Sequence, residues 1–384
     1  MSKDLLKKAK NLAKQYDSID NPVFVKSGSV VIDALLGGGI PKGTMIAWAS
    51  DSGCGKSTSA LFIAASYCAQ GKRVLYLDFE GGVNKSQLDN IGLSAQRFHP
   101  ENNPEGLFMC YQVCTYKDAE TLLDELMEEV ELVVIDSATA MLTEKVASES
   151  AEKALPGRDS MVMSTFLKKY KAEIRKQGCT WIIINQMRTK IRFIGTTTDE
   201  EAGGNALRFY PDIRIMMKKQ RGGTLEREES TGFGSATIPF GVKNDVYCVK
   251  SRYSRPFVKL PLVIVFGYGV SNAYAYFDKM VHDGVVKREG AWYTIKLPNM
   301  EPARVQGQGR VMDFIEKNIH QVRDYIKSQG GVQLLATDMS GEEIEVYGSD
   351  NINYEDVKIN DDGTFVDSEG NTFNEEGELI ESQS

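Results

Sequence analysis

The chain has 384 residues, 42% of them hydrophobic and 26% charged, which fits one large core or two to three globular domains. It excludes a disordered, collagen-like or disulfide-stapled protein, and no run reaches the roughly 18 to 20 apolar residues of a membrane helix, so a cytoplasmic protein without membrane contact is expected. The net charge of −8 is uneven: residues 335–384 carry 15 Asp and Glu against one lysine, Lys358, a net of −14 that leaves +6 on residues 1–334. A mildly basic body with an acidic tail suits a polyanion binder whose tail competes for the same surface; a tail that only aids solubility has the same composition.

Along the chain, Leu5, Ala9, Leu12 and Ala13 share one stripe at helical spacing, predicting a short amphipathic helix over 4–16. Turn residues from Asp17 to Ser29 set it apart as an arm, and its apolar stripe needs a neighbouring subunit or its own core to cover it. From Met45, apolar runs alternate with helical patterns: Met45 to Ala49, Val74 to Asp78, Phe108 to Val113, Leu132 to Asp136 and Trp181 to Asn185. Continuous apolar strands between helices predict an α/β fold with a mainly parallel sheet covered on both faces. After Val270 a smaller α+β segment is expected, with helices over Tyr274–Asp283 and Val311–Ser328 and a strand at Trp292–Ile295. Val357 to Val366 alternates around an Asp-Gly turn, as a small hairpin would. The resulting division is 1–28 (arm and linker), 29–269 (core), 270–334 (small domain) and 335–384 (acidic tail). The six cysteines, Cys54, Cys68, Cys110, Cys114, Cys179 and Cys248, show no metal-ligand spacing and read as reduced core thiols.

Chemistry enters after the first core strand. Ser50-Asp51-Ser52-Gly53-Cys54-Gly55-Lys56-Ser57-Thr58 fits a phosphate-binding loop, with Ser50 where the pattern has its first glycine. Small residues let backbone amides curl around phosphates at a helix N-terminus, Lys56 reaches the β and γ phosphates, and the Ser57 hydroxyl binds magnesium. The cofactors expected are therefore ATP and Mg2+. Asp136 ends the buried strand Leu132-Val133-Val134-Ile135, where a carboxylate holds the water shell of the metal. Leu75-Tyr76-Leu77-Asp78-Phe79-Glu80 delivers further carboxylates to the same sheet edge, where Glu80 is placed to polarise an attacking water and Asp78 is the nearest alternative.

Five further stretches make the sequence recognisable. Ile184-Asn185-Gln186-Met187-Arg188-Thr189-Lys190-Ile191 is followed by Gly203-Gly204-Asn205-Ala206-Leu207-Arg208-Phe209-Tyr210; Ser27-Gly28-Ser29 and Gly39-Ile40-Pro41-Lys42-Gly43 precede the phosphate loop; Gly290-Ala291-Trp292-Tyr293 lies in the small domain. In these the chain, from about Ser27 to Tyr293, resembles the RecA family of recombinases. The resemblance implies a RecA-like ATPase core, and a catalytic set in which Gln186 senses the γ-phosphate and passes its state to the following loop. It implies that Lys250 and Arg252 reach the ATP of a neighbouring subunit, both pointing the same way from one strand. It implies two DNA loops: Thr143 to Ser160, with Arg158, and Met187 to Asn205, with Arg188, Lys190, Ile191, Arg192, Phe193, Gly203, Gly204 and Asn205. Asp199, Glu200 and Glu201 depart from the family's second loop, and Asn84 and Gln87 stand where the family contacts adenine. Such drift fits a distant member, for example one encoded by a bacteriophage. The function so implied is an ATP-dependent, DNA-stimulated recombinase that forms a helical homo-oligomeric filament on single-stranded DNA and exchanges strands with a homologous duplex in recombination and repair. Single-strand-binding or mediator proteins would dock on the tail. The rival is a motor or regulatory assembly on the same fold, such as a hexameric helicase, although the chain has neither a zinc-binding N-terminal module nor a primase-interacting domain.

Overall fold

In the computed structural model the described residues are 22–142, 158–191, 197–201, 206–231, 234–329, 332–337 and 343–348, with four short strands between 358 and 381. The expected helix over 4–16, the first DNA loop up to residue 157, and Arg192, Phe193, Gly203, Gly204 and Asn205 lie outside them.

Strand β1 (Phe24–Val25) pairs antiparallel with β2 (Ile40–Pro41) and brackets helix α1 (Val30–Leu36). Ser29 caps α1 by accepting from the Ile32 amide at 3.3 Å, and Gly37 ends it at φ 85°, a left-handed geometry suited to glycine. The C-terminal end of the expected arm, with Val25 buried, thus belongs to this chain's own core. Then β3 (Met45–Ser50), α2 (Lys56–Ala69), β4 (Val74–Asp78), α3 (Lys85–Asn90), β5 (Phe108–Gln112), α4 (Tyr116–Leu126) and β6 (Leu132–Asp136) alternate. They lead to α5 (Arg158–Gln177), β7 (Thr180–Ile191), β8 (Thr197–Glu201), α6 (Ala206–Phe209), β9 (Ile213–Thr231), β10 (Gly234–Lys250), β11 (Lys259–Val265) and β12 (Gly269–Ser271).

The central sheet runs β11-β10-β9-β3-β7-β6-β4-β5, parallel from β9 to β5 and antiparallel beyond. Alternation sends Trp48, Tyr76, Val134 and Ile184 to one face, with Leu61, Ala64 and Tyr67 of α2, and Leu75, Val133, Trp181 and Ile183 to the other, with Leu123 of α4 and Phe166 and Tyr170 of α5. Both faces are therefore dry, which is why these strands read as unbroken apolar runs. Register sets Ser50 beside Gln186 and Met217, and Asp78 beside Asp136, so β3, β4 and β6 end at one edge of the sheet while β7 and β9 run on past it.

Several elements differ from expectation. β7 does not stop at Asn185 but continues to Ile191 and pairs with β8, with Arg188 opposite Glu200 and Thr189 opposite Asp199; part of the expected second DNA loop is thus a β-ribbon. β9 and β10 form a long hairpin paired from Thr231–Gly234 to Arg214–Lys250, whose outer part extends past its neighbours in the sheet. The helix expected over 311–328 is two, α8 (Gln308–Lys317) and α9 (Ile319–Ser328), because Asn318 leaves helical geometry at φ −117° and ψ 34° while its side chain donates to the Phe314 carbonyl at 2.8 Å. They follow α7 (Ala273–His282) and the antiparallel trio β13 (Val286–Glu289), β14 (Trp292–Ile295) and β15 (Ala303–Gln306). β16 (Val332–Thr337) crosses the border expected at residue 334, meets β11 through Thr337 and Lys259, and pairs with β17 (Glu343–Gly348). Farther on, Lys358–Ile359 pairs antiparallel with Phe365–Val366 within a separate four-stranded sheet. All six cysteines are free, and Cys54, Cys68, Cys179 and Cys248 are buried, but Cys114 is exposed instead of in the core. No helix among the described residues is long and apolar enough to cross a membrane.

Candidate functional site

The loop from Asp51 to Gly55 joins fully buried β3 to α2. Gly53 and Gly55 adopt φ 76° and 89°, which side-chain-bearing residues resist, and a Cβ on Gly55 would lie 2.5 Å from Ile264 Cδ1. The α2 N-cap is Gly55, with no side-chain cap, so the first amides of the helix are left for an anion. Asn244 of β10 pins the loop from below by donating to the Cys54 carbonyl at 3.0 Å.

Lys56 folds back over the loop, its Nζ donating to Ser50 O at 3.1 Å, Ser50 Oγ at 3.0 Å and Asp51 O at 2.9 Å. The serine in place of the pattern's first glycine therefore supplies one more acceptor for this ammonium. Burial lowers the Lys56 pKa, opposed by the charges of Cys54, Asp136, Glu80 and Asp51.

Asp136 is buried and accepts from the Tyr76 hydroxyl at 2.7 Å through Oδ2, while its Oδ1 is buried without a partner. Burial raises its pKa, with the Ser57 and Tyr76 hydroxyls pulling the other way and Glu80 and Asp78 adding repulsion. An orphaned carboxylate oxygen beside a serine hydroxyl is an all-oxygen donor set that suits a hard cation such as magnesium. Among the described residues no group of three or more His, Cys, Asp or Glu is placed to hold a metal ion.

Glu80 is exposed at the sheet edge. Its Oε1 accepts from Ser137 Oγ at 2.5 Å and from Gln186 Nε2 at 3.1 Å; Oε2 has no partner among the described residues. Asp78 differs in kind: Oδ1 accepts the Gly81 and Gly82 amides at 2.8 and 3.3 Å and Oδ2 the Val83 amide at 3.0 Å, so its work is to shape the turn that carries Glu80. Asn84 and Gln87 form the capping box of α3, each side chain accepting from the other's amide at 3.0 and 3.2 Å, which occupies the polar groups expected near adenine.

The structure thus gathers Ser50 to Thr58, Glu80, Asp136 and Gln186 at one edge. Lys250 and Arg252 lie apart from it. Lys250 registers opposite Arg214, which lies beside Ala47, and its Nζ donates to the carbonyls of Phe209 and Pro211 at 3.0 and 2.6 Å. Arg252 falls beyond the end of β10, so the two cations do not alternate along one strand as expected, because the chain turns at Ser251, whose hydroxyl accepts the Tyr253 and Ser254 amides. Arg158 opens α5, and Arg188, Lys190 and Ile191 lie on β7 beyond Gln186. Sequence reasoning missed Tyr76, Ser137 and Asn244. Tyr76 reads as a core aromatic and Asn244, between Lys243 and Asp245, as a surface residue; only the position of Ser137 next to Asp136 could have flagged it.

Parallel sheet, phosphate loop and strand-end carboxylate define a P-loop α/β protein. The family described as the RecA N-terminal domain matches residues 10–271. The protein RecA of Trichodesmium erythraeum is 28% identical over 317 residues, 80% of this chain and 81% of the relative, and that of Nostoc sp. is 29% identical over 307 residues, 79% of each. The crystal structure of the RadB recombinase aligns with a TM-score of 0.45 at 21% identity, covering 64% of this chain and 98% of that one. The chain belongs to the RecA family of recombinases, a family of ATPases.

Proposed function

We propose that the protein is an ATP-dependent recombinase that assembles on single-stranded DNA as a filament and pairs it with a homologous duplex. The observation that carries this reading is the continuity of β7: Gln186 touches Glu80 at the phosphate edge, and the same strand runs on as the ribbon bearing Arg188, Thr189 and Lys190. A change felt by the Gln186 amide is thereby delivered to a basic, hydroxyl-bearing segment able to meet a DNA backbone.

In this reading Lys56 exchanges the loop oxygens it now holds for the β and γ phosphate oxygens of ATP, and the α2 amides take the phosphates between them. Ser57 and Asp136 would hold magnesium, which would supply neutralisation of the phosphate charge. Glu80 keeps Oε1 fixed between Ser137 and Gln186 and offers Oε2 to the attacking water. Once the γ-phosphate leaves, Gln186 changes partner, and the ribbon with it. Lys250 and Arg252 serve the nucleotide of an adjacent subunit, and Arg158, Arg192, Phe193, Gly203, Gly204 and Asn205 complete the DNA surface. The arm before residue 22 joins subunits, so removal of residues 1–21 leaves a folded monomer without filaments.

Two measurements test this. ATP hydrolysis should rise on adding single-stranded DNA, and electron micrographs with ATP and that DNA should show open helical filaments. Closed rings together with duplex unwinding would replace this reading with the helicase one.

A further inference from the structure

We infer that Tyr76 is a positioning residue for the metal-side carboxylate: its hydroxyl fixes Asp136 Oδ2 so that Oδ1 is presented to a divalent cation bound with nucleotide. The inference rests on the nucleotide-site reading above and adds a residue to it.

The geometry follows from the sheet. Alternation along β4 sends Tyr76 and Asp78 to the same face, and register sets Tyr76 beside Val134 and Asp78 beside Asp136. The Tyr76 ring therefore lies one same-face position short of Asp136 on the neighbouring strand, and its phenol spans that distance to donate at 2.7 Å. The side chain is fully buried and meets Phe108 edge-on, with centroids 6.1 Å apart at 60°, so the hydroxyl has one direction to point. Asp78 is no competitor for that hydroxyl, because its own oxygens take three backbone amides. A carboxylate gripped at one oxygen and bare at the other is oriented, and outer groups that orient a ligand commonly govern metal affinity about as strongly as 10- to 100-fold. Without the hydroxyl, Oδ2 loses the donor that fixes the orientation of the carboxylate.

The test is Tyr76→Phe, which keeps the ring and the core, titrated with magnesium while binding of a fluorescent ATP analogue is followed, alongside Asp136→Asn and the parent. The half-saturating magnesium concentration should rise about tenfold in Tyr76→Phe, while metal-free affinity for the analogue stays within about twofold of the parent. Superimposed magnesium curves for Tyr76→Phe and the parent, with Asp136→Asn shifted, would overturn the inference and leave the nucleotide site standing. Equal loss of metal-free and metal-dependent binding would also overturn it, by making Tyr76 a packing residue. A parent that binds no analogue would sink both readings. Should Tyr76→Phe not fold, Phe108→Leu takes its place, since it loosens the ring and keeps the hydroxyl; a rise of about threefold is expected and an unmoved curve counts against the inference.

Discussion

Gln186 Nε2 donates to Glu80 Oε1 at 3.1 Å, joining the middle of β7 to the acid that follows β4. Ser137, just past the end of β6, holds the same oxygen, so Glu80 is fixed at Oε1 and available at Oε2. The assignment of Glu80 as the acid that polarises water predicts that Glu80→Gln keeps nucleotide affinity while hydrolysis falls by roughly 10² or more. Gln186→Ala should keep basal turnover within about threefold but lose stimulation by single-stranded DNA, because the contact that links edge to ribbon is gone. Steady-state turnover with and without DNA reads both; a Glu80→Gln protein hydrolysing at the parental rate would remove Glu80 from the chemistry.

Asp78 and Glu80 should part company in stability. Asp78 is buried on three backbone amides, and Asp78→Asn puts a donor where an acceptor is needed, at a cost of about 2 kcal/mol. Urea unfolding should show that loss for Asp78→Asn and an unchanged midpoint for exposed Glu80→Gln. Equal midpoints for all three proteins would refute the turn-shaping role.

Much of this site was legible because its strands are covered on both faces: Val74–Asp78 and Leu132–Asp136 read as strands from apolar continuity alone, and the phosphate loop from its glycines and lysine. What was hidden depends on pairing between distant segments. Residues 188–190 and 197–201 are polar, so nothing in their pattern announced a ribbon, and the β9–β10 hairpin carries charges and Gly222-Gly223 in place of clean alternation. Asp78 stands as the nearest alternative to Glu80 in the sequence, which does not reveal which carboxylate the following amides will occupy. Tyr76 looked like core for the same reason: its ring is core and only its oxygen reaches Asp136.

Asp212 ties three elements and sets an acid limit to stability. It accepts the Met45 amide at 3.0 Å, pairs with Lys171, and meets Arg175 Nη2 at 3.3 Å. Burial acts to raise its pKa, but hydrogen bonds from Lys171 and the Met45 amide and the charges of Lys171 and Arg175 win and hold it below the usual carboxylate value. A depressed folded pKa contributes stability that is present above the unfolded value, about 3.9, and is lost as pH falls through the folded value. Asp212→Asn should therefore cost about 2 kcal/mol at pH 7 and flatten the decline of stability below about pH 4. Parallel stability curves for parent and variant across that acid range would contradict the assignment.

The tail prediction follows from charge and from where the sheet ends. Residues 332–348 pair as β16 and β17, so the cut belongs after Gly348; residues 349–384 hold 11 Asp and Glu and one lysine, and their removal takes the net charge from −8 to +2. The truncated protein should capture duplex DNA faster at low salt, with the advantage shrinking as ionic strength rises and the Debye length falls to about 8 Å. Stopped-flow association at several salt concentrations measures this, and identical rates at all of them would leave the tail no electrostatic role.

The central claim is homologous pairing, and it is tested most directly by incubating circular single strands, homologous linear duplex, ATP and magnesium with the full chain and resolving the products by electrophoresis. The account predicts joint molecules that mature to nicked circles with the parent and none with Lys56→Ala or with a heterologous duplex. Absence of joint molecules from a parent that hydrolyses ATP and unwinds duplex would contradict it.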